Sequence, residues 1–328
     1  MTESKSRHVA TVLGAVQSPS SAALSPLAAS WCRSALRHGL DPARPALREP
    51  VDATVLAGLR AEQHALLAVA QPVLDQVFRA VGRSGCGVVL SNAAGVILER
   101  RIGAGDAVDF DAAGLVEGGR WSEAEEGTNG IGTCLVEDRA VVIHRDQHFA
   151  SHNTGISCMD APVHDPHGQL VAALDVSSCR ADHGPAMAEM IVALIADAAR
   201  RIERELFCRH FAAARIVLVG DDPSGVALLA ADRDGLVIGA SRAARLRLGI
   251  GDDMLARPRP LDLVMGAEET LSFEEGDRAV LRRALARANG NASAAARLLG
   301  IGRATFYRRL ARAGLAGDPL SPPDLSQP

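Results

Sequence analysis

A glycine-flanked break, Gly300-Ile-Gly302, divides the arginine-rich end of the chain into two short helical patterns. Glycine reaches the left-handed backbone conformations that a sharp turn needs, so a continuous helix is not expected there. Helix is predicted to resume at Arg303, because Phe306 and Leu310 then recur at the i, i+4 spacing of a buried stripe. The pattern predicts two helices joined by a tight turn.

The first of these helices is predicted to open at Asn291 or Ala292. Ser293 is a candidate to accept hydrogen bonds from free N–H groups in the first turn. The inward face is predicted to consist of Ala296, Leu298 and Leu299.

The second helix carries a polar face opposite its buried stripe: Arg303, Thr305, Tyr307, Arg308 and, nearer the edge, Arg309. From Asp277 to Leu315 all cations are arginines and Asp277 is the only acid, although the whole chain has a formal net charge of −4. A helix–turn–helix places such a face in the major groove, where arginine suits guanine edges and phosphates. The local positive charge therefore favours double-stranded DNA as a partner; a solvated basic bundle that binds a protein, or nothing, is the alternative.

Residues Leu271 to Leu315 resemble the Fis-type helix–turn–helix of bacterial enhancer-binding activators. The motifs Asn-Gly-Asn, Ala-Ala-Arg-Leu-Leu-Gly-Ile and Arg-Ala-Thr-Phe-Tyr-Arg-Arg-Leu occur in order without gaps. The resemblance implies a phosphate contact at Ser293 and a groove-facing set of Arg303, Thr305, Tyr307 and Arg308. Gly302 departs from the family, which often has Asn or Ser there.

Length and composition bound the rest. The 328 residues allow two or three domains, and no apolar run approaches the ~20 residues of a membrane span. No signal-peptide pattern occurs at the start. The six cysteines are scattered without a C-x-x-C pair, which fits reduced thiols. We therefore expect a cytoplasmic protein without a membrane partner.

The middle of the chain predicts an antiparallel sheet followed by a long helix. Residues 87–91 and 96–99 flank the turn Asn92-Ala-Ala-Gly95 as a hairpin, and 140–144 and 170–176 are further strands. The long helix is predicted from Ala186 to Phe211. One apolar stripe runs along it: Met187, Met190, Ile191, Leu194, Ala198, Ile202 and Leu206. Apart from Met190, its residues could form a dimer seam or could pack on the protein's own sheet.

A second resemblance spans most of Ser25 to Cys179. An ordered series of motifs, including the stretch from Trp121 to Thr133 and Cys158-Met-Asp-Ala-Pro162, looks like the GAF sensor domain of acetoin-catabolism-type activators. The resemblance implies an antiparallel sheet flanked by helices that senses an unknown small-molecule effector. Ligand-lining residues are expected around the glycine-rich loop, with a purely structural loop as the alternative: Trp121, Gly127, Thr128, Asn129 and Cys158.

Between sensor and DNA module those activators carry an ATPase domain, which this chain has no room for. Lys5 is the only lysine and no phosphate-loop motif occurs, so action by DNA occupancy without ATP hydrolysis is expected. The short segment instead contains a strand–turn–strand pattern over 226–238 that resembles the opening of a PAS domain. We expect a truncated PAS-like remnant or a linker.

A group of histidines and a group of cysteines leave alternative functions open. His144, His148 and His152 have a spacing that could hold a metal or haem, although no clear ligand set completes it, so no metal or cofactor is predicted. Three cysteines could gather around one pocket for redox chemistry: Cys86, Cys134 and Cys158. A thiol enzyme on a GAF scaffold, and a non-catalytic antagonist of full-length activators, are therefore alternatives to the leading hypothesis of a homodimeric, non-enzymatic, ligand-responsive regulator.

The predicted fold class is α+β. The expected segments are a flexible tail (1–21), N-terminal helices (22–70), a GAF-like sensor (71–211), a PAS-like remnant or linker (212–268), an all-α helix–turn–helix (269–315) and a second tail (316–328).

Overall fold

A computed structural model describes residues 3–18, 20–44, 49–181, 184–222, 225–266 and 273–315. The chain divides into two compact units, residues 1–261 and 262–328. The predicted tail 316–328 lies outside the described residues. The predicted PAS-like segment does not stand apart, because most of it belongs to the first unit.

The first unit is organised around a five-stranded antiparallel sheet with the order β2-β1-β5-β4-β3. The predicted hairpin and the two further strands are present, and one more strand, β4, crosses the sheet through the Cys158 motif. The strands are β1 (Cys86–Asn92), β2 (Ile97–Arg101), β3 (Val141–His144), β4 (Ser157–His164) and β5 (Leu170–Ser178).

Two long helices cover one face of this sheet. They are α5 (His64–Val81), which runs through the boundary predicted at residue 70, and α9 (Pro185–His210). Apolar side chains of both helices and of β1, β4 and β5 form the largest core cluster. The apolar stripe of α9 belongs to that cluster, with Ile191, Ala198 and Ile202 buried. The stripe therefore packs on the protein's own sheet, and its use as a dimer seam is wrong.

The opposite face of the sheet is covered by shorter helices and the loops between them. A second core cluster lies there, with Phe110, Trp121 and Ile131 buried against the strands. The helices are α6 (Ala107–Ala113), α7 (Glu123–Glu126) and α8 (Gly130–Glu137).

The N-terminal segment is helical and packed. Its helices are α1 (Glu3–Gln17), α2 (Ser21–Leu24), α3 (Pro26–Cys32) and α4 (Ala53–Glu62), and a π-helical turn, Arg33–Arg37, extends α3. Val12 of α1 is fully buried against Trp31 and Phe149. The expectation of a flexible tail over residues 1–21 is therefore wrong for α1, because its few apolar side chains find a partner surface on the sensor.

A three-stranded antiparallel sheet follows α9, with β7 in its centre. Its elements are β6 (Arg215–Asp222), β7 (Gly225–Ala231), β8 (Val237–Ala240), α10 (Arg242–Leu248) and α11 (Asp252–Ala256). The predicted strand–turn–strand and the helix after it are present. The preceding strand β6 was not predicted, and it makes the segment more than a hairpin.

The second unit is all-helical. After α12 (Leu261–Val264) at its boundary, it contains α13 (Phe273–Arg287), α14 (Ala292–Leu298) and α15 (Arg303–Arg312). A small core of alanines and leucines around Phe306 holds the three longer helices together.

Candidate functional site

Helices α14 and α15 form a helix–turn–helix. Asn291 caps α14 by accepting a hydrogen bond from the Ala294 N–H at 3.0 Å. Gly300 adopts φ +65°, the left-handed conformation that the break requires, and α15 begins at Arg303. The break and the second start are confirmed.

The two faces of α15 separate as the pattern predicts. Phe306 and Leu310 are buried in the core of the unit, whereas Arg303 and Arg308 are exposed. The Arg303 guanidinium lies 5.6 Å from the centre of the Tyr307 ring, which holds it beside the helix by a cation–π contact. Thr305 is half-buried on the same helix. Within the described part of the chain, Arg303 and Arg308 form no ion pair with a carboxylate, so their charge is free for an anionic partner.

Other predicted positions differ in detail. Arg309 forms an exposed ion pair with Asp277 of α13 at 3.3 Å. Ser293 is half-buried in the first turn of α14, but the cap is supplied by Asn291 rather than by Ser293. Leu298, predicted to face inward, is 57% exposed because the last turn of α14 rotates it away from the core. Gly302, the residue before α15, provides no side-chain cap for that helix.

Most residues of the predicted ligand loop hold the sensor together. Trp121 is buried and donates from Nε1 to the Gly114 carbonyl at 2.9 Å. Gly127 has φ +67° and lies against Phe149, so a side chain at that position would collide with the ring. Asn129 caps α8 by accepting from the Gly132 N–H at 2.8 Å.

Cys158 lies in a buried hydrogen-bonded chain rather than at a surface. Its Sγ is 3.4 Å from His148 Nε2 and 3.1 Å from the Ser177 hydroxyl oxygen. His148 Nδ1 faces the Arg145 carbonyl at 3.0 Å. A carbonyl oxygen only accepts, so Nδ1 carries the proton and Nε2 accepts from the thiol. The structure thus joins a histidine and a cysteine that the sequence placed in separate hypotheses.

Thr128 is the predicted ligand residue that lines a cavity. This cavity, which we call the α3–α8 cavity, has a volume of about 370 Å³ and lies between α3, α8 and β3. Thr128 Oγ1 is 2.7 Å from the Ser30 hydroxyl. Thr133 also lines the cavity, and its buried hydroxyl has no hydrogen-bond partner among the described residues. The volume falls within the usual range of small-molecule sites, ~300–1,000 Å³.

An ionic network closes one side of the α3–α8 cavity. Arg33, the first residue of the π-helical turn, donates to Glu123 at 2.8 and 3.1 Å and to Glu137 at 2.8 Å. The hydrogen bond to Glu123 is the main cause that raises the pKa of the guanidinium. Glu123 also accepts from Ser30 at 3.2 Å. Arg33 and Ser30 belong to a stretch, Ser30-Trp-Cys-Arg-Ser34, that resembles the N-terminal helices of acetoin-catabolism-type activators, but no ligand-lining role is predicted for them. They are some 90 residues away from the carboxylate that they meet.

The histidines point to hydrogen bonding rather than to a metal. His144 pairs with the Ser157 hydroxyl at 2.9 Å, and His152 lies 3.5 Å from Glu126. Among the described residues, no group of histidine, cysteine and acidic side chains has the geometry of a metal site.

The cysteines do not gather around one pocket. Cys86 belongs to the core cluster under α5 and α9, whereas Cys134 and Cys158 lie on the other face of the sheet. Burial raises the pKa of all three thiols, most strongly for Cys134 and Cys158. Raised values keep the sulfur protonated, which is the opposite of what a nucleophilic thiolate needs.

Comparisons with protein families agree with this architecture. The model of the GAF domain matches residues 65–206, and that of the bacterial regulatory protein, Fis family, matches residues 272–312. The chain combines a GAF sensor domain with a Fis-family helix–turn–helix. Both resemblances are thereby confirmed, and this composition is that of a transcriptional regulator.

Two curated relatives are named as regulators of acetoin catabolism, the class of activator that the sequence resembles. The chain is 29% identical over 229 residues to the acetoin catabolism regulatory protein of Cupriavidus necator, covering 67% of this chain and 34% of that protein. It is 29% identical over 140 residues to the acetoin dehydrogenase operon transcriptional activator AcoR of Bacillus subtilis, covering 43% of this chain and 22% of that protein. The chain thus spans about a third of the length of the first of these relatives and less of the second.

A solved structure supports the fold of the first unit. A chain in the E. coli DhaR(N)–DhaL complex superposes with a TM-score of 0.51 at 19% identity, covering 68% of this chain and 78% of that chain. Among the described helices, none is both long and apolar enough to cross a bilayer.

Proposed function

We propose that this regulator binds specific DNA sequences through α15 and acts by occupying them in the cytoplasm. The observation that carries the proposal is the amphipathic character of α15. Phe306 and Leu310 are buried in the core of the unit, whereas Arg303 and Arg308 are exposed without carboxylate partners in the described structure. Arginine can bind guanine through two parallel hydrogen bonds, and phosphates through its charge. No phosphate-loop motif occurs in the sequence, so ATP hydrolysis forms no part of the proposal.

A duplex that the full chain selects from random sequences provides the DNA for a test of specific binding. The labelled duplex is then titrated with protein at one fixed salt concentration. Arg303→Ala and Arg308→Ala should each weaken binding by ~1–3 kcal/mol if the side chain reads a base edge. Arg233→Ala removes the same charge from an exposed turn of the three-stranded sheet and should leave affinity unchanged. Equal affinities for all four proteins would show that α15 is not the reading helix.

We propose further that the sensor responds to a small molecule held in the α3–α8 cavity. Ser30, Thr128 and Thr133 supply hydroxyl groups, and one of these hydroxyls has no partner in the described structure. The names of the relatives make acetoin the first compound to test. It is small, and its hydroxyl and carbonyl groups could replace the missing hydrogen bond.

Tryptophan fluorescence can follow such binding, since Trp31 donates to the carbonyl of Gln147 at the cavity wall, at 2.9 Å. A saturable change with acetoin that Thr133→Val weakens would support the proposal. If the fluorescence change is the same in Thr133→Val, the ligand binds elsewhere. Neither result affects the test of DNA binding.

A further inference from the structure

A second cavity lies where the five-stranded sheet meets the helix that follows the three-stranded sheet. This junction cavity has a volume of about 290 Å³. Its wall is formed by the α8–β3 turn, the end of β4, one side of α9 and the first residue of α10. Three arginines, one from each of the turn and the two helices, line it: Arg139, Arg200 and Arg242. We propose that the junction cavity binds a compact dianion carrying carboxylate or phosphate groups.

The three guanidinium groups are only lightly engaged within the protein. Among the described residues, each makes a single long ion pair: Arg139 with Glu137 at 3.5 Å, Arg200 with Asp197 at 3.5 Å and Arg242 with Asp138 at 3.2 Å. A guanidinium carries five N–H donors, and strong arginine–carboxylate pairs are commonly bidentate at ~2.7–2.9 Å. Most of these donors are therefore available to an oxyanion that enters the cavity.

The two carboxylates in the wall are already occupied by a buried histidine. His164 is 3% exposed, and its Nδ1 lies 2.6 Å from Glu203 while its Nε2 lies 2.7 Å from Asp138. Glu203 also accepts from the His164 backbone N–H at 2.9 Å. Both carboxylates of the wall thus contact His164, and Asp138 also pairs with Arg242, so three arginines face two carboxylates in the cavity lining.

The chemistry and the position together indicate what a bound dianion would do. Planar guanidinium forks suit carboxylate and phosphate oxygens, and the several oxygens of a dianion can engage arginines from different elements. Arg200 belongs to α9 of the sensor and Arg242 to α10 after the three-stranded sheet, so a shared ligand would tie these elements together. The site is distinct from the α3–α8 cavity, with which it shares Arg139 and Ala140 at the rim.

Calorimetric titration of the full chain with inorganic phosphate, and separately with malonate, tests the proposal in a low-chloride buffer. The protein should carry Arg303→Ala and Arg308→Ala, so that these two exposed arginines of α15 do not contribute heat. We expect saturable binding at one site. Adding Arg200→Gln or Arg242→Gln should weaken it at least tenfold. Arg209→Gln is the matched control on α9, because Arg209 pairs with Glu205 at 2.8 Å outside the cavity.

Each outcome decides the matter. Binding of phosphate but not malonate assigns the site to phosphate groups, and binding of malonate but not phosphate assigns it to dicarboxylates; either result, or binding of both, supports the proposal when both cavity variants weaken it. The variant Arg200→Gln guards against misfolding, since the only partner of Arg200 in the described structure, Asp197, is itself 61% exposed. Absence of saturable binding by both anions, or equal binding by Arg200→Gln and Arg209→Gln, would overturn it.

Discussion

Two buried carboxyl groups face each other in the centre of the sensor sheet. Asp160 of β4 is paired with Asp175 of β5, and both are fully buried. Asp175 accepts from Ser177 at 2.9 Å, whereas neither oxygen of Asp160 has a partner in the described structure. Burial raises the pKa of Asp160 well above its usual value, the Asp175 charge adds to this, and burial raises the pKa of Asp175 to about 7. The pair is therefore expected to hold at least one proton in the folded state.

The proton on this pair gives a pH dependence with a definite sign. The folded state binds protons that the unfolded chain releases above pH 3.8, so the free energy of unfolding should fall as pH rises from about 4 through about 7. Asp160→Asn removes one acid and supplies an amide donor for Asp175. The free energy of unfolding of Asp160→Asn minus that of the unmodified protein should therefore increase from pH 5 to pH 8. The expected increase is more than about 1 kcal/mol, roughly the value of one pKa unit. Urea unfolding at both pH values measures this.

The exposed substitution Asp234→Asn is the control for that comparison and should show no such gain. If the unmodified protein and Asp160→Asn instead lose stability in parallel between pH 5 and pH 8, the carboxyl pair does not share a proton.

At the scale of elements, local patterns predicted what local chemistry determines. The Gly300 break, the hairpin around Asn92 and the length of α9 all follow from residues close together in the chain. The strand β4 was missed, although its Cys158 motif was noticed, because it is buried on both faces and shows little alternation. The partner of the α9 stripe could not be read from one helix, since an apolar stripe fits equally well on a sheet or on a second chain.

The packing of α9 predicts a stability effect rather than an assembly effect. Ile202 is fully buried between α9 and the sheet, so Ile202→Ala should lower the free energy of unfolding by about 2–5 kcal/mol. Met190 lies on the same helix with 68% exposure, and Met190→Ala should change it by less than about 0.5 kcal/mol. Chemical denaturation of both variants measures the difference. Similar small losses in both would mean that α9 does not pack on the sheet as described.

At the scale of the whole molecule, the sequence predicts the DNA-binding helix better than it predicts the cavities. The residues of α15 are contiguous, so a single stretch displays its faces. The α3–α8 cavity instead depends on contacts between Ser30 or Arg33 and residues nearly a hundred positions later, which no periodicity encodes. Of the five predicted ligand residues, Thr128 reaches that cavity.

A homodimer remains our proposal, because two recognition helices usually read two half-sites about one DNA turn apart. Since the α9 stripe is buried, we propose that α13 forms the dimer seam. Phe273 is 98% exposed and Val280, seven residues later on the same face, is 46% exposed. Val280→Glu should shift the protein toward monomer in sedimentation velocity, whereas Leu246→Glu, at a 62% exposed position of α10, should not. A monomeric unmodified protein that still binds its duplex would exclude the dimer.

The ratio of affinities for the selected duplex and for a scrambled duplex of the same composition tests the central claim most directly. It should be measured at one salt concentration for the unmodified chain and for the double variant Arg303→Ala, Arg308→Ala. If α15 reads base edges, this ratio should be at least tenfold lower for the double variant than for the unmodified chain. Weak binding to the scrambled duplex should persist through the remaining arginines. A ratio that survives the double variant unchanged would contradict the assignment of α15 as the recognition helix.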